Sequence, residues 1–423
     1  MIRKILFSAL GLGALATNAS ANAFNINEHD ARVTGRAGAS AASNTEPSSV
    51  VFNPGGIAVN EGTQVALGSA FYFAEGSYDG DTTEKQKTDS PMQIVPSLYV
   101  TSRVHEMVAV GLGVHFPFGL AVSWPTGHPQ EDVIQDQTLR TYFITAGVGL
   151  NLHKQVPGLS FGAGLDIVPA TIELENVVAF GDVEGTAHLG GDAVGIGARV
   201  GAMYHPPAVK GLKFGVMYRS PVALDFEGKG DFDIEDPYRS QLPPDGTINA
   251  SITLPQSVWG GVSYSPMANL DLEYNAVWIN WEQTWDNGDL VIDLPDDGNP
   301  ATDRPQSRSP QDYTNTVTHR IGVEYGLPAQ HAALRAGFIY DPTPIPSTTQ
   351  TARLPDVNRI VVTIGGSYTI TSQYGLHLGL LWVTPGERET ANDMDQPYSP
   401  QFKGTYGVQA FVANVGVTGK FGK

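Results

Sequence analysis

Bulky apolar side chains recur at every second position through most of this chain. Val108, Val110, Leu112, Val114 and Phe116 share one face of an extended segment; Ala109, Gly111, Gly113 and His115 share the other. Tyr142, Ile144, Ala146, Val148 and Leu150 alternate with Thr141, Phe143, Thr145, Gly147 and Gly149. Further on, Val317, His319, Ile321, Val323 and Tyr325 alternate with Thr318, Arg320, Gly322 and Glu324. Leu334, Ala336, Phe338 and Tyr340 alternate with Arg335, Gly337, Ile339 and Asp341. Leu376, Leu378, Leu380 and Trp382 alternate with His377, Gly379, Leu381 and Val383. A period of two predicts β-strands. One face is bulky and apolar, the other small, polar or charged. A soluble sandwich would turn its large residues into a shared core. A membrane barrel turns them to lipid and keeps the small and polar ones in its lumen.

Strand windows fall at 64–73, 93–101, 107–116, 139–152, 159–177, 192–204, 212–226, 248–264, 270–281, 316–325, 333–341, 359–370, 375–383 and 405–421. Fourteen is an even number, as bacterial single-chain barrels require. The two longest windows each have room for a hairpin, so the range is twelve to sixteen. Connections alternate between short turns (102–106, 154–158, 206–211, 265–269, 327–331, 371–374) and long, acidic, Gly- and Pro-rich loops (75–92, 124–137, 180–191, 231–247, 282–315, 341–358, 384–404). Short periplasmic turns and long extracellular loops are the rhythm of an outer-membrane barrel. Phe71, Tyr72, Tyr99, Tyr204, Tyr218, Tyr264 and Trp382 lie near strand ends and suit interfacial aromatic girdles.

Composition sharpens this picture. The chain has 423 residues, 48 of them Gly and 29 Pro, and only 16% are charged, against about 25% in a typical soluble domain. A net charge of −18 argues against a nucleic-acid partner, because phosphate binding needs a basic footprint. The absence of Cys excludes disulfides, thiolate metal sites and cysteine nucleophiles. Arg3 and Lys4, an apolar run over 5–16 and the Ala21-Asn22-Ala23 cleavage site read as a signal peptide, 1–23, with the mature chain starting at Phe24. No later run is apolar enough for a membrane helix. Residues 24–61 lack the period of two and are rich in small side chains. They are expected to form an N-terminal helical hatch, a plug in the lumen of a β-barrel formed by 62–423.

At this point the sequence resembles a known family, the FadL/TodX-type outer-membrane transporters of long-chain fatty acids and other hydrophobic compounds. Phe24-Asn25-Ile26-Asn27-Glu28, Gly35-Arg36-Ala37 and Asn53-Pro54-Gly55 are similar to the family's hatch, whose signature is Asn-Pro-Ala. Phe118-Gly119-Leu120, Ser160-Phe161-Gly162-Ala163-Gly164-Leu165 and Tyr218-Arg219-Ser220 followed by Asp225-Phe226-Glu227-Gly228 match later segments. So do Leu254-Pro255, Asn280-Trp281, Arg335-Ala336-Gly337 through Asp341 with Pro344 and Pro346, and Leu354-Pro355-Asp356-Val357-Asn358-Arg359. The resemblance implies an all-β fold: a fourteen-stranded transmembrane antiparallel barrel plugged by the hatch. Extracellular loops would capture ligand and pass it to an interior pocket. Hatch movement, or a side opening at a kinked strand, would release it. It assigns hatch and gating roles to Phe24, Asn27, Glu28, Asn53, Pro54, Gly55, Phe118 and Gly119. Three features depart from the pattern. The signature reads Asn53-Pro54-Gly55, the chain ends Phe421-Gly422-Lys423, and two positions that are basic in some members read Leu174 and Thr316.

The residues themselves offer further candidates. Parity places Arg320, Arg335 and Arg359 on the lumen side, where guanidinium groups suit a ligand carboxylate; pairing with Glu324, Asp341 or Asp356 to brace the barrel is the other reading. Phe143, Ile339, Val361, Leu381 and Val383 are apolar and lumen-facing, fit for a greasy pocket or for packing against the hatch. Gly119 beside Phe118 is a candidate strand kink. Asn53-Pro54 reads as a structural turn. No G-x-S-x-G elbow, H-E-x-x-H or H-x-H spacing is present, so an enzyme is not expected, nor a metal or cofactor. Acidic loop residues 286–289 and 296–297 are a weak Ca²⁺ candidate. The expected function is passive, hatch-gated uptake of long-chain fatty acids or other hydrophobic small molecules across a Gram-negative outer membrane. Its partners would be the hydrophobic ligand, outer-membrane lipid and lipopolysaccharide and the barrel-assembly machinery, with the protein a monomer. An aromatic-hydrocarbon channel, a non-specific porin, and an outer-membrane enzyme or adhesin remain as alternatives.

Overall fold

The computed structural model describes residues 23–80, 84–89, 92–295, 306–390 and 403–422. The expected signal peptide, up to residue 22, lies outside the described residues. Fourteen antiparallel strands form one closed barrel. They are β1 (Thr63–Gly80), β2 (Gln93–His105), β3 (Val108–His115, resuming as Gly119–Ser123), β4 (Asp136–Thr141, resuming as Phe143–Asn151), β5 (Leu159–Phe180), β6 (Val183–Tyr204) and β7 (Leu212–Arg219, resuming as Val222–Asp233). Then come β8 (Gly246–Leu254, resuming as Ser257–Met267), β9 (Leu270–Ile279), β10 (Thr316–Leu327), β11 (Ala332–Asp341), β12 (Arg359–Thr369), β13 (Tyr374–Glu389) and β14 (Gly404–Phe421). β1 and β14 pair from Thr63 opposite Phe421 to Gly80 opposite Gly404. That seam closes the sheet into a barrel, the form in which strands cross a membrane without free edges along the sheet's two ends.

Each strand window is occupied, with several ends moved outward. Neither long window hides a hairpin. β5 is one 22-residue strand, and β8 is one line interrupted at Pro255-Gln256, where a proline cannot donate to the ladder. The expected long loop over 180–191 is corrected: β5 and β6 run on and turn at Gly181-Asp182, with Gly181 at φ 65°. At about 3.3 Å per residue their length far exceeds a hydrocarbon core of about 30 Å, so this hairpin stands clear of the membrane. The loop over 282–315 carries a small hairpin, Asp289–Asp293 against Gln306–Pro310. Residues 296–297 lie outside the described residues, and among the described residues no acidic or histidine cluster has the geometry to hold a metal ion.

Burial is inverted relative to a soluble fold. Ile196 is 68% exposed and Ile364 61%, whereas Asp166, Asn275 and Thr318 are fully enclosed. The large apolar residues face outward, as a lipid-facing wall requires. Tyr204, Tyr264 and Trp382 are exposed as expected for girdles, and Phe71 and Tyr218 are half-buried. Tyr72 and Tyr99 are corrected: both point into the lumen and are buried, because they share strand parity with Ala70 and Thr101.

Residues 23–60 lie inside the barrel. A short helix α1 (Ala31–Gly35) is capped by Asp30, whose carboxylate accepts from Val33 N–H. A second, α2 (Ser49–Phe52), leads into a 3₁₀ turn, Pro54–Val59. Glycines on the inner wall make room for this backbone. A Cβ at Gly149 would lie 2.5 Å from Ala58 N, at Gly162 2.2 Å from Pro54 O, and at Gly379 2.4 Å from Ala31 O. Irregular backbone at this depth must find its hydrogen bonds in protein, and wall side chains supply them. Asn275 Oδ1 accepts from Ser40 and Ala41 N–H at 2.9 and 3.0 Å. Glu273 accepts from Ala42 N–H at 2.8 Å, and Asn414 Nδ2 donates to Glu28 O at 2.8 Å.

Candidate functional site

The wall is interrupted where β3 stops at His115 and resumes at Gly119. Pro117 sits in the gap and has no N–H to offer a neighbour. The break therefore centres on Phe116-Pro117, just before the Gly119 expected from the sequence. β4 breaks opposite it at Tyr142, whose N–H turns to Pro169 O at 2.9 Å. The chain's N-terminal residues lie across this gap. Asn25 bridges Phe118; Ile26 N–H donates to Pro117 O at 2.8 Å, and Gly119 N–H to Phe24 O at 3.0 Å. Thr141 Oγ1 donates to Phe118 O at 2.6 Å. The strand interruption is thus completed by a short stretch of the N-terminal segment.

Phe24 roofs an aromatic cluster. Its ring lies 5.1 Å from Trp281, 5.9 Å from Phe118 and 6.3 Å from Trp285. Tyr313 packs edge-on to Trp285 at 5.4 Å. Toward the long loops this cluster borders a cleft lined by Phe24, Leu120, Leu139, Leu174, Ile252, Trp285, Tyr313, Ile345 and Leu354. Its polar lining is Gln137, Gln311, Thr349, Thr351 and Arg353. The free cavity volume is about 40 Å³, room for a few waters, so a larger guest must move side chains aside. The cleft is capped by the loop between β11 and β12, folded inward: Trp124 Nε1 donates to Ala352 O at 2.9 Å and Gln130 Oε1 accepts from Ala352 N–H at 2.9 Å.

The residues expected from parity all lie inside the barrel, in different surroundings. Phe143 is enclosed beside His115 and Phe118, with ring centroids at 5.5 and 6.1 Å. Ile339, Val361, Leu381 and Val383 pack with Ile26, Ala37 and Tyr72, partly against the N-terminal segment. Arg335 pairs with Glu324 at 2.6 Å and donates to Ser367 Oγ at 3.0 Å. Arg359 pairs with Asp356. Arg320 donates to Ala37 O at 3.2 Å and lies over the Trp259 ring at 5.5 Å. None of these lines the cleft. Trp285, Tyr313, Ile345 and Leu354 do, and the strand pattern missed them because they sit in loops without periodicity. Leu174 is at the cleft too; its apolar side chain on the inner face of β5 was the available signal.

Among the segment's own residues, Glu28 Oε2 accepts from Asn27 N–H at 3.0 Å. Burial raises the Glu28 carboxyl above its usual range, opposed by nearby Arg320. Burial pushes the His29 imidazole down to about 3, so it is neutral at physiological pH. Asn53 is fully enclosed. Its Nδ2 donates to Ala41 O at 2.6 Å and Ala202 O at 3.2 Å, and its Oδ1 accepts from Gly55 N–H at 3.0 Å. It fastens the Pro54-Gly55 turn to β6. Asn53→Ala leaves these buried groups unsatisfied, at a cost of about 1–3 kcal/mol per group. The expected result is a lower midpoint for unfolding the segment in urea, read by chymotrypsin cleavage after Phe52 with the barrel intact. Unchanged protection would show that the side chain does not fasten the turn.

Residues 12–421 match the family model described as outer membrane protein transport protein (OMPP1/FadL/TodX). The chain is 21% identical over 426 residues to a long-chain fatty acid transport protein of Salmonella typhi, covering 90% of this chain and 93% of that one. It is 22% identical to outer membrane protein P1 of Haemophilus influenzae, covering 90% and 89%. Among solved structures, a Pseudomonas aeruginosa FadL homologue superposes with a TM-score of 0.81 at 18% identity, covering 95% of this chain and all of that one. The P. putida toluene transporter TodX does so at 0.72 and 18%, covering 94% and 100%.

Proposed function

The chain belongs to the outer-membrane transport protein family (OMPP1/FadL/TodX), and from that premise we propose that it takes up amphipathic and apolar small molecules passively through the barrel. The observation that carries this reading is the position of Phe24. One residue both roofs the apolar cleft and, through its carbonyl, closes the gap in β3. A guest that displaces Phe24 from the cleft therefore also loosens the segment over the wall opening. Long-chain fatty acids, carried by the Salmonella relative, are the first substrate class. Monoaromatic hydrocarbons are the second, favoured by the small cleft and its Phe24, Trp285 and Tyr313 rings. Residues 24–61 act as the hatch and the short turns face the periplasm. Lipopolysaccharide surrounds a barrel that works as a monomer after export and assembly, without catalysis. Arg335 and Arg359, each held by a carboxylate, brace the lumen.

A disulfide lock tests the coupling. Asn25 and Phe118 are a non-hydrogen-bonded antiparallel pair, for which the Cα separation is about 4.5 Å, within disulfide reach. The native chain has no Cys to interfere. The double variant Asn25→Cys/Phe118→Cys, oxidised, is expected to lose roughly tenfold or more of its labelled oleate and toluene uptake, because a bonded segment cannot populate the open state. Dithiothreitol should restore it. Uptake indifferent to the redox state would defeat the proposal that this segment gates entry.

A further inference from the structure

Six arginines among the described residues are at least nine-tenths buried: Arg36, Arg199, Arg219, Arg320, Arg335 and Arg359. Five have acceptors. Arg36 meets Asp271 and Glu273, Arg199 meets Asp166, Arg320 the Ala37 carbonyl, Arg335 Glu324 and Arg359 Asp356. Arg219 is the exception: its Nε and Nη2 are enclosed and have no hydrogen-bond partner.

Its position makes the exception costly. Arg219 stands directly opposite Arg199 in the pairing of β7 with β6, and like charges opposite each other repel. Asp166 does not serve it. That carboxylate takes Arg199 through Nε and Nη2 and accepts from Thr145 Oγ1 at 2.5 Å. The Arg219 guanidinium instead lies over the Phe118 ring, 4.6 Å from its centroid. A ring face offsets only a small part of what an enclosed, unpaired cation loses on leaving water. Phe118 is the residue bridged by Asn25, and both amide atoms of Asn25 are also enclosed and unpartnered. His29 and His115 stack edge-on at 5.4 Å, and both nitrogens of His29 lack partners. The region therefore carries one surplus positive charge and several idle donors.

The geometry points to Arg219 as the seat of an anionic head group: the carboxylate of a ligand whose apolar part occupies the neighbouring aromatic cluster. This inference rests on the uptake function proposed above and decides between its two substrate classes, in favour of amphipathic carboxylates over neutral hydrocarbons. Nε and Nη2 form the side edge of the guanidinium, which grips both oxygens of a carboxylate at once, and these are the two idle atoms. Arg36, Arg199, Arg335 and Arg359 each already bond a carboxylate, and Arg320 a backbone carbonyl. A carboxylate at Arg219 neutralises the surplus charge. Its approach past Phe118 shifts the Asn25–Phe118 bridge, so the head group acts on the stretch of segment that covers the gap in β3.

The test compares oleate with oleyl alcohol, which have the same chain and differ in head group, as labelled ligands binding to the purified full-length protein in neutral detergent. The parent is expected to prefer oleate by about tenfold or more. Arg219→Met should bring the ratio close to one, and Arg219→Lys, which keeps the charge, should retain part of it. Arg335→Met, at an arginine already paired, should keep the preference. Heat-modifiable migration on gels checks folding, and Arg219→Gln serves if the Met variant does not assemble. Equal binding of the two ligands by the parent, or an undiminished preference in a folded Arg219 variant, overturns the assignment and leaves the uptake function standing. Binding of neither ligand overturns both.

Discussion

Valine at Gly162 is expected to unseat the N-terminal segment and make the barrel leak. A Cβ there would lie 2.2 Å from the Pro54 carbonyl oxygen and 2.3 Å from its carbon. Both are backbone atoms, so no side chain can rotate away. Overpacking of ordinary cores costs about 1–3 kcal/mol, and this contact sits at the upper end. Since each 1.4 kcal/mol is tenfold in an equilibrium, the undocked population should rise on the order of a hundredfold. The barrel itself has no stake in that contact, because the β4–β5 and β5–β6 ladders on either side of Gly162 are unchanged. Planar-bilayer conductance and vancomycin sensitivity of expressing cells should both increase sharply. Gly260→Val is the control, since nothing lies within 4 Å of a Cβ at that position. A Gly162→Val barrel as tight as the parent would show that the segment does not seal the lumen.

Asp166→Ala should produce the largest loss of stability of any single substitution in the lumen. Asp166 is fully enclosed and is the counter-ion of Arg199, itself almost fully buried. Arg199 also donates from Nη1 to Val51 O at 2.6 Å, tying β6 to α2 of the N-terminal segment. Removing one partner of a buried ion pair costs about 3–5 kcal/mol, because the other charge is stranded. Here the stranded Arg199 faces Arg219, a second cation without a carboxylate. The measurement is urea unfolding from lipid vesicles followed by tryptophan emission. Asp166→Ala/Arg199→Met, which removes both charges, should recover much of the loss. If the single variant unfolds within about 1 kcal/mol of the parent, the pair is not what holds this region together.

The strands were legible because each faces two different solvents. Lipid outside and packed polar matter inside impose a period of two, and that period is written residue by residue into segments such as 317–325 and 376–383. The hairpin of β5 and β6 was less legible. Its outer half over 180–191 leaves the membrane, loses the bulky face and reads like a loop. Pro117 was overlooked as the centre of the wall interruption, although its missing N–H marks the place more directly than Gly119 does. Gly149 and Gly379 were visible on a small lumen face, but nothing local announces that a backbone segment lies against them or against Gly162. The cleft was the least legible part. Trp285, Tyr313, Ile345 and Leu354 come from loops that fold inward, and their meeting depends on contacts between chain positions dozens of residues apart.

The alternation of side chains, the rhythm of turns and the lack of any long apolar run determined that this chain forms a membrane barrel, since these are local consequences of satisfying backbone hydrogen bonds in lipid. Which buried charges are neutralised was decided only by the tertiary structure. Parity put Arg320, Arg335 and Arg359 in the lumen with equal standing, whereas Arg219 figured only within the Tyr218-Arg219-Ser220 segment and not as a ligand candidate. Pairing then depended on which carboxylate the barrel's register and the N-terminal segment brought within reach, and that left Arg219 alone against Phe118 at the gap in the wall.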